Sequence, residues 1–263
     1  MLRRWFGCVR AINGVKVMDP VSVIAASGLQ SRMQALDLVA NNLANTTTGG
    51  FKLDQEFYSL FTADEENPSD PAATRLPLIE KQWTNFSQGV LAPTGNPLDF
   101  AIQGSGFFTV QGPSGPLYTR NGSFQLSTTG QLMTSDGYAV LGDGGQPIKT
   151  SSSAPIQVNE KGIITQSGQQ IGQIQVADFT NRTVLNKVGN SYFSTGQANI
   201  NPTPASGATV LQGKIENSNV APAESAVRLV GVMRQFEMLQ KAITVTSDMN
   251  KQALAEVARV SGS

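Results

Sequence analysis

The sequence predicts an α+β protein in which long N- and C-terminal α-helices frame an inserted all-β middle domain, antiparallel and barrel- or sandwich-like. Three observations support this prediction. Apolar residues recur at three- and four-residue intervals near both ends of the 263-residue chain, they alternate with polar residues in the middle, and turn residues separate the alternating segments. We expect the two helices to pair as a coiled-coil-like unit.

The N-terminal helix is predicted to begin at Asp19-Pro20 and to end near Ala44. An Asp side chain accepts free helical N–H groups, and a proline at the first helical position loses no intrahelical hydrogen bond. An apolar stripe follows one face of this helix, at Leu29, Met33, Leu36, Ala40 and Leu43. The threonines and glycines of residues 45–50 end the helix. The N-terminal helical region is therefore 18–46.

The middle of the chain contains a connection and a β-rich domain. Residues 47–96 are predicted to be an irregular connecting segment, because an acidic, proline-rich stretch occupies 63–73. The β-rich domain is predicted over 97–205, with turns at dipeptides such as Asn121-Gly122. Its strands are expected at 98–102, 107–111, 117–120, 123–127, 156–158, 163–165, 172–179 and 192–193.

Residues 206–263 are predicted to be a linker and the C-terminal helix, which begins at Pro222 and runs to Arg259. Its apolar stripe contains Ala226, Leu229, Met233, Phe236, Ile243, Leu254 and Val257. A helix of this length measures roughly 55 Å, more than a compact middle domain covers. Part of its apolar face is therefore expected to need a partner helix, either residues 20–44 or another copy. Packing in an ordinary monomeric core is the alternative.

Residues 1–17 match no other part of this organisation. They carry four basic residues and no acid, but they lack the apolar core of a cleaved secretory signal. We expect an unstructured extension or a start-site artefact. No stretch of the chain approaches the roughly 20 apolar residues that span a bilayer, so we expect no membrane span.

Composition weakens most enzyme classes. The chain has no histidine, one cysteine (Cys8) and a formal net charge of zero, with 14% charged residues. We therefore expect no catalytic site, no metal, no cofactor, no small-molecule substrate and no nucleic acid. Gly104-Ser-Gly106 lacks the third glycine of a dinucleotide fingerprint, and nothing brings Asp99, Asp136 and Asp178 to one cleft. An enzyme acting on polysaccharide is the weakest hypothesis.

Two end motifs resemble those of the bacterial flagellar rod and hook family. The N-terminal motif lies in Ala26–Lys52, where Asn41-Asn42-Leu43-Ala44-Asn45 is followed by Thr48, Gly50, Phe51 and Lys52. The C-terminal motif lies in Gly213–Ile243, where Ser218-Asn219-Val220 precedes the long helix. The segment Pro97–Gly142 is similar to the β domain that the family's rod and hook proteins share.

This resemblance implies a structural subunit of the flagellar basal-body rod, a drive shaft that spans the periplasm. It implies export by the flagellar export apparatus without a cleaved signal peptide, and assembly with copies of itself and with other rod and hook axial proteins. In such proteins the terminal helices pair and pack against neighbouring subunits, while the β domain faces outward. Within the family, Arg234–Met238 favours the proximal rod over the distal rod or hook. A secreted β-rich binding or adhesion module is the alternative from another class.

The resemblance and the apolar stripes together predict an assembly interface. Asn41, Asn42 and Asn45 are interpreted as capping residues and cross-subunit donors, with purely local helix capping as the alternative. The predicted N-terminal interface contains Leu29, Met33, Leu36, Asn41, Asn42, Leu43, Asn45, Gly50 and Phe51. The predicted C-terminal interface contains Ser218, Asn219, Val220, Leu229, Met233, Phe236, Ile243, Leu254 and Val257. Both helices are expected to become ordered on assembly.

Overall fold

Two helices begin at prolines, as the sequence predicts. The computed structural model describes residues 20–62, 75–150, 154–189, 191–196 and 201–260, so the predictions for 1–17 and for the acidic stretch 63–73 fall outside the described residues. Helix α1 spans Pro20–Ala44 and helix α2 spans Pro222–Val260, with 25 and 39 residues. Neither helix, over its described residues, is long and apolar enough to cross a bilayer.

The described residues between the helices form eighteen strands and a 3₁₀ turn at Arg182–Val184. The strands are β1 (Asp54–Thr62), β2 (Arg75–Thr84), β3 (Leu91–Pro93), β4 (Phe100–Gln103), β5 (Phe107–Gly112), β6 (Gly115–Thr119), β7 (Phe124–Leu126), β8 (Leu132–Thr134), β9 (Ala139–Val140), β10 (Ile156–Val158), β11 (Ile163–Gln166), β12 (Gln169–Gln173), β13 (Val176–Asp178), β14 (Asn186–Val188), β15 (Tyr192–Ser194), β16 (Thr203–Pro204), β17 (Thr209–Gln212) and β18 (Lys214–Glu216). The α+β class with a β-rich middle is confirmed.

The largest sheet has the order β14-β15-β6-β5-β9-β8-β7, and β13 joins it by pairing with both β5 and β16. A second sheet contains β10-β11-β12, and three two-stranded pairs are β1-β2, β17-β4 and β18-β3. The register is antiparallel in β5-β6, for example, where Thr109 faces Tyr118. Short antiparallel strands joined by tight turns explain the alternating pattern of the sequence.

Two apolar clusters form the core of this β-rich region. The larger one is built from the two larger sheets and the β17-β4 pair, and it contains Phe100, Phe108, Leu132 and Ile164, which are fully buried. The smaller one consists of Phe107, Tyr118, Ala177, Phe179, Leu185 and Phe193, against which Phe86 packs. Phe107 and Phe108 are neighbours on β5 and point to opposite faces of the sheet, so this strand contributes to both clusters.

The structure differs from the predicted domain boundaries at two places. Residues 47–96, expected to be irregular, contain β1, β2 and β3. Residues 209–216, expected to lie in a linker, form β17 and β18, which pair with β4 and β3. Strands β3, β17 and β18 have only three or four residues each, and their partner strands lie more than 100 residues away in the sequence.

The chain divides into two compact units, and the division cuts both helices. The larger unit contains 35–57 and 80–232, and thus joins the end of α1 and the start of α2 to the β-rich region. The smaller unit contains 1–34, 58–79 and 233–263, of which the described part is mostly helical. In the smaller unit Leu239 of α2 packs at Gly28 of α1. A coiled-coil-like pairing of the two helices is not confirmed.

Candidate assembly site

The asparagines of the N-terminal motif close the end of α1. The backbone N–H of Asn45 donates to the carbonyl oxygen of Asn41 (3.2 Å), and Asn45 Nδ2 donates to the same oxygen (2.9 Å). Thr48 Oγ1 then donates to Asn45 Oδ1 (3.0 Å). The last carbonyl groups of a helix have no intrahelical partner, and this arrangement satisfies one of them.

Asn42 connects α1 to the following extended backbone. Its Nδ2 donates to the carbonyl oxygen of Asp54 (2.8 Å), and the backbone N–H of Asp54 donates to Asn42 Oδ1 (3.0 Å). Asn42 and Asn45 are buried, whereas Asn41 is exposed. The amides of the two buried asparagines therefore have partners within the chain, as the local alternative expects. Their part in assembly stays a prediction.

Gly50 brings the N-terminal motif against both the β-rich region and the C-terminal motif. Its φ is +69°, and its N–H donates to the carbonyl oxygen of Glu216 (2.7 Å). A Cβ atom at this position would lie 2.2 Å from the backbone nitrogen of Asn121. Such contact and such a left-handed conformation both require glycine.

The residues that follow, 51–56, carry charged side chains at alternate positions. In extended backbone, alternate side chains lie on the same side of the chain. Each of these charges meets an opposite charge from a different part of the protein, in the ion pairs Lys52–Glu216, Asp54–Lys187 (2.6 Å) and Glu56–Arg228 (2.8 Å). The partners come from β18, β14 and the start of α2, so segment 51–56 connects the N-terminal motif to three distant elements.

Glu216 is the centre of a buried ionic cluster. Its Oε1 accepts hydrogen bonds from Lys52 Nζ and from the backbone N–H of Gly89 (2.9 Å), and its Oε2 accepts from Arg120 Nη1 (3.0 Å). Lys52 and Glu216 are fully buried, and Arg120 nearly so. Lys52 Nζ also donates to the carbonyl oxygen of Ser87 (2.7 Å). Two buried cations thus share one carboxylate.

Burial dominates the electrostatics of this cluster. It lowers the pKa of Lys52 and that of Arg120, and the carboxylate of Glu216 only partly opposes the effect. The cause is the loss of hydration of the charged forms, which a single shared anion does not restore. The positive charges therefore depend on Glu216, which has no substitute in the cluster.

Lys187 holds the same segment from the β-rich region. Its Nζ donates to the carbonyl oxygen of Lys52 (2.9 Å) and to Asp54 Oδ2 (2.6 Å), and it lies 3.7 Å from the centroid of the Phe51 ring. Phe51 is fully buried beneath it. Burial lowers the pKa of Lys187, while Asp54 opposes the shift. A cation over an aromatic ring adds to the two hydrogen bonds.

The C-terminal motif binds the backbone of the same segment. Asn219 Oδ1 accepts from the backbone N–H of Leu53 (2.7 Å), while its Nδ2 donates to the carbonyl oxygens of Asn85 (2.8 Å) and Ser87 (3.1 Å). Ser218 and Val220 on either side are buried. The two end motifs, far apart in the sequence, therefore contact each other directly through these residues.

The buried face of α1 is rotated from the predicted stripe by about one residue. Its buried residues include small ones, which allow close helix packing, and they are Gly28, Ser31, Ala35, Leu38, Val39 and Asn42. On the predicted stripe, Leu29, Leu36 and Leu43 are half-buried, and Met33 is 54% exposed. The large residues of the predicted stripe are therefore less buried within the chain than their small neighbours, and their part in assembly stays a prediction.

Helix α2 presents apolar side chains on two faces. On the predicted stripe, Leu229, Phe236 and Ile243 are half-buried, whereas Met233 and Val257 are exposed; the side chain of Leu254 lies outside the description. A second stripe, Met238, Val245 and Met249, is 63%, 50% and 64% exposed. At about 100° per residue, these three positions lie within about 40° of one another and nearly opposite Phe236 and Ile243. We call them the outer stripe of α2.

The sequence analysis missed the charged residues that join the motifs. Lys52 is the last residue of the N-terminal motif, Glu216 lies in the C-terminal motif, and Arg120 lies in the β segment. None of the three is among the predicted interface residues. The alternation of Lys52, Asp54 and Glu56 is a visible signal, since it places three charges on one side of an extended segment. Their partners, Lys187 and Arg228 among them, are identified only by the fold.

Three family models match the chain in order along its length. Residues 24–52 match the model described as flagella basal body rod protein, and 211–256 match flagellar basal body rod FlgEFG protein C-terminal. Residues 101–186 match the flagellar hook protein FlgE/F/G D1 domain. The first two matches contain the motifs that Glu216 and Asn219 bring together.

Curated relatives extend over nearly the whole chain. The flagellar basal-body rod protein FlgF of Caulobacter vibrioides is 30% identical over 245 residues, which is 92% of this chain and all of that protein. FlgG of Buchnera aphidicola subsp. Schizaphis graminum is 34% identical over 264 residues, or 91% of this chain and all of that protein. FlgG of Borreliella burgdorferi is 32% identical over 86% of this chain and 94% of its own length.

Proposed function

The chain belongs to the flagellar basal-body rod protein family of FlgF and FlgG, and from this premise we propose that it polymerises through its two terminal helices. It is a structural subunit of the flagellar basal-body rod and acts in motility. A structural role accounts for the protein without any catalytic chemistry. The match to rod proteins over their whole lengths favours this role over that of a secreted binding module.

The observation that carries the proposal is apolar surface left uncovered on both helices. Met33 on α1 and the outer stripe of α2 are at least half exposed. Long helices derive most of their stability from burial of an apolar face rather than from helix propensity. Exposed apolar side chains that recur at helical spacing are typical of an interaction surface. We assign this surface to contacts with neighbouring subunits.

Assembly also offers a role for the predicted coiled-coil-like pairing. The contact of Leu239 with Gly28 supports a close approach of α1 and α2 in the smaller unit. Neighbouring copies would then cover the outward faces of this pair. The predicted interface residues of α1 and α2 belong to this proposal, with Leu29, Met33 and Leu36 on one helix and Phe236, Ile243 and Val257 on the other.

The partners and the route follow from the family. We infer that the subunit assembles with copies of itself and with other rod and hook axial proteins in the periplasm-spanning rod. We also infer that the flagellar export apparatus delivers it without a cleaved signal peptide. Relatives named FlgF and FlgG have similar identities to this chain, so the proposed position in the proximal rod rests on Arg234–Met238 alone.

Polymerisation through α2 is tested by a matched pair of charge substitutions. Met238→Lys introduces a cation in the outer stripe, and Thr244→Lys introduces the same cation about 120° away, at an exposed position that belongs to neither apolar stripe of the same helix. Both variants are expressed in a strain that lacks its own copy of the gene. We expect Met238→Lys to be absent from isolated basal bodies and to leave the cells non-motile, while Thr244→Lys assembles normally.

Normal incorporation of Met238→Lys would overturn the assignment of the outer stripe to subunit contacts. Failure of both variants to assemble would show that the helix tolerates no added charge at either position. That result would also overturn the assignment of the subunit contact to the outer stripe. The position in the rod is tested separately by complementation of strains lacking FlgF or FlgG. Rescue of the FlgG strain alone would replace the proximal position by the distal one.

A further inference from the structure

Segment 51–56 is bound like an extended peptide in a site that the rest of the chain forms. Its backbone is recognised as well as its side chains: the Leu53 N–H is held by Asn219, and the Leu53 carbonyl oxygen accepts from the backbone N–H of Asn85 (2.8 Å). The Phe51 carbonyl oxygen accepts from the backbone N–H of Asn219 (3.4 Å). Backbone hydrogen bonds that provide affinity and alternate side chains that provide specificity are typical of bound extended peptides.

The charges of the segment are complementary to those of its site. From Lys52 to Glu56 the segment reads plus, minus, minus at alternate positions, and the site presents Glu216, Lys187 and Arg228 in the same order. Reversal or displacement of the segment by one charged position would bring like charges together. Electrostatic complementarity of this kind fixes the register of a bound segment.

Most of the site comes from the C-terminal part of the chain. Glu216 and Asn219 belong to the C-terminal motif, and Arg228 lies near the start of α2, all of them 160 or more residues beyond the segment. Lys187, on β14, is the one of the three charges that precedes the C-terminal motif. Without the C-terminal residues the segment would lose two of three ion pairs and its main backbone acceptor.

We propose that segment 51–56 is a docking peptide and that Glu216, Asn219 and Arg228 are the positioning residues that hold it, so that the end of α1 is held in place only while the C-terminal motif is folded. The proposal deepens the proposed function, since it concerns how a helix used for assembly is presented. It assigns to the C-terminal motif a role inside each subunit, separate from any contact between subunits. The order of decreasing local stability is β-rich region, then C-terminal motif, then N-terminal motif.

Hydrogen exchange on the dilute full-length protein tests this order. Arg228→Glu places a second carboxylate beside Glu56, whereas Glu56→Arg combined with Arg228→Glu exchanges the two charges and restores an ion pair. Arg259→Glu, on the exposed surface of the same helix, is the matched control. We expect exchange of peptides covering 45–57 to become about tenfold faster in Arg228→Glu, to recover in the charge exchange and to be unchanged in the control.

An uncharged variant tests the same site by a different bond. Asn219→Ala removes the acceptor of the Leu53 N–H, and Asn217→Ala truncates an exposed amide two residues away in the same motif. We expect Asn219→Ala to accelerate exchange of 45–57 and to leave β5 and β6 as protected as in the wild type. Asn217→Ala should have no effect on either region.

Three results would overturn the proposal. One is wild-type exchange of 45–57 in both Arg228→Glu and Asn219→Ala. Another is faster exchange of equal size in β5 and β6, since that indicates general destabilisation. The third is no recovery on exchange of the charges at 56 and 228. These measurements use monomeric protein, so failure here leaves the Met238→Lys test of polymerisation unaffected, and failure of that test leaves this one unaffected.

Discussion

The buried ionic cluster should respond very differently to the loss of its anion and the loss of one cation. Glu216→Gln leaves Lys52 and Arg120 buried with no carboxylate between them. Removal of one partner from a buried ion pair costs about 3–5 kcal/mol, because the remaining charge is uncompensated. Lys52→Met instead leaves Glu216 paired with Arg120 and fills the space with a side chain of similar length. The loss is then two hydrogen bonds of Lys52 Nζ, to Ser87 and to Glu216, offset in part because no ammonium group is buried; we expect a net cost of about 1–2 kcal/mol.

Urea unfolding of the two variants, followed by tyrosine and tryptophan fluorescence, measures both free energies. We expect the midpoint to fall further in Glu216→Gln than in Lys52→Met. The double variant should be closer to Glu216→Gln than to the sum of the two losses, because Lys52→Met removes one of the stranded cations. Equal losses in the two single variants would refute the idea that Glu216 serves both cations.

Three further perturbations test other parts of the site. Because burial lowers the pKa of Lys52, the folded state releases this proton at lower pH than the unfolded state. The stability of wild type relative to Lys52→Met should therefore rise as pH increases toward the unfolded pKa of 10.5. A difference in urea midpoints that stays constant with pH would contradict this. Gly50→Ala should lower the free energy of unfolding by well over 1 kcal/mol, measured by thermal unfolding. The control is Gly95→Ala, where φ is similar (+72°) but no atom lies within 4 Å of the added Cβ, and we expect a loss of about 1 kcal/mol there. Equal losses would exclude the contact with Asn121 as a cause. Leu43→Asp and Met233→Lys should each abolish incorporation into basal bodies, while circular dichroism shows that the β-rich region is still folded. Normal rods formed by either variant would show that the substituted residue does not contribute to a subunit contact.

The elements that the sequence predicted well are those with strong local signals. Proline at the first helical position marks the start of both α1 and α2, and the predicted strands near 107–111, 156–158 and 163–165 are present. Alternation of apolar and polar residues is a local property, so it predicts such strands without knowledge of their partners. Strands such as β17 and β18 are stabilised by pairing with β4 and β3, and that information is absent from any single window of the sequence.

The inner face of α1 shows a different limit. Burial there depends on how closely another element approaches, and Gly28, Ser31 and Ala35 allow a close approach. Periodicity analysis gives weight to large apolar residues, so it selected Leu29, Met33 and Leu36, which lie one position further along. The pattern therefore identifies the stripe of large apolar residues, but it does not show which face is buried within the chain. The residues that it selected are available for subunit contacts because they are not fully used within the chain.

The ionic cluster and the uncovered apolar faces have complementary physical roles. Hydrophobic contact is non-directional, so burial of an apolar stripe alone would allow α1 to slide or rotate against its surroundings. The alternate charges at 52, 54 and 56 form ion pairs with three fixed partners. These pairs allow only one register of the segment, because any shift leaves a charge without an opposite charge. In the proposed polymerisation, the energy for assembly would come from the apolar stripes, and the charges would fix the register of the segment that follows α1. We therefore expect charge substitutions in segment 51–56 to yield misassembled or irregular rods, whereas substitutions in the outer stripe prevent assembly altogether.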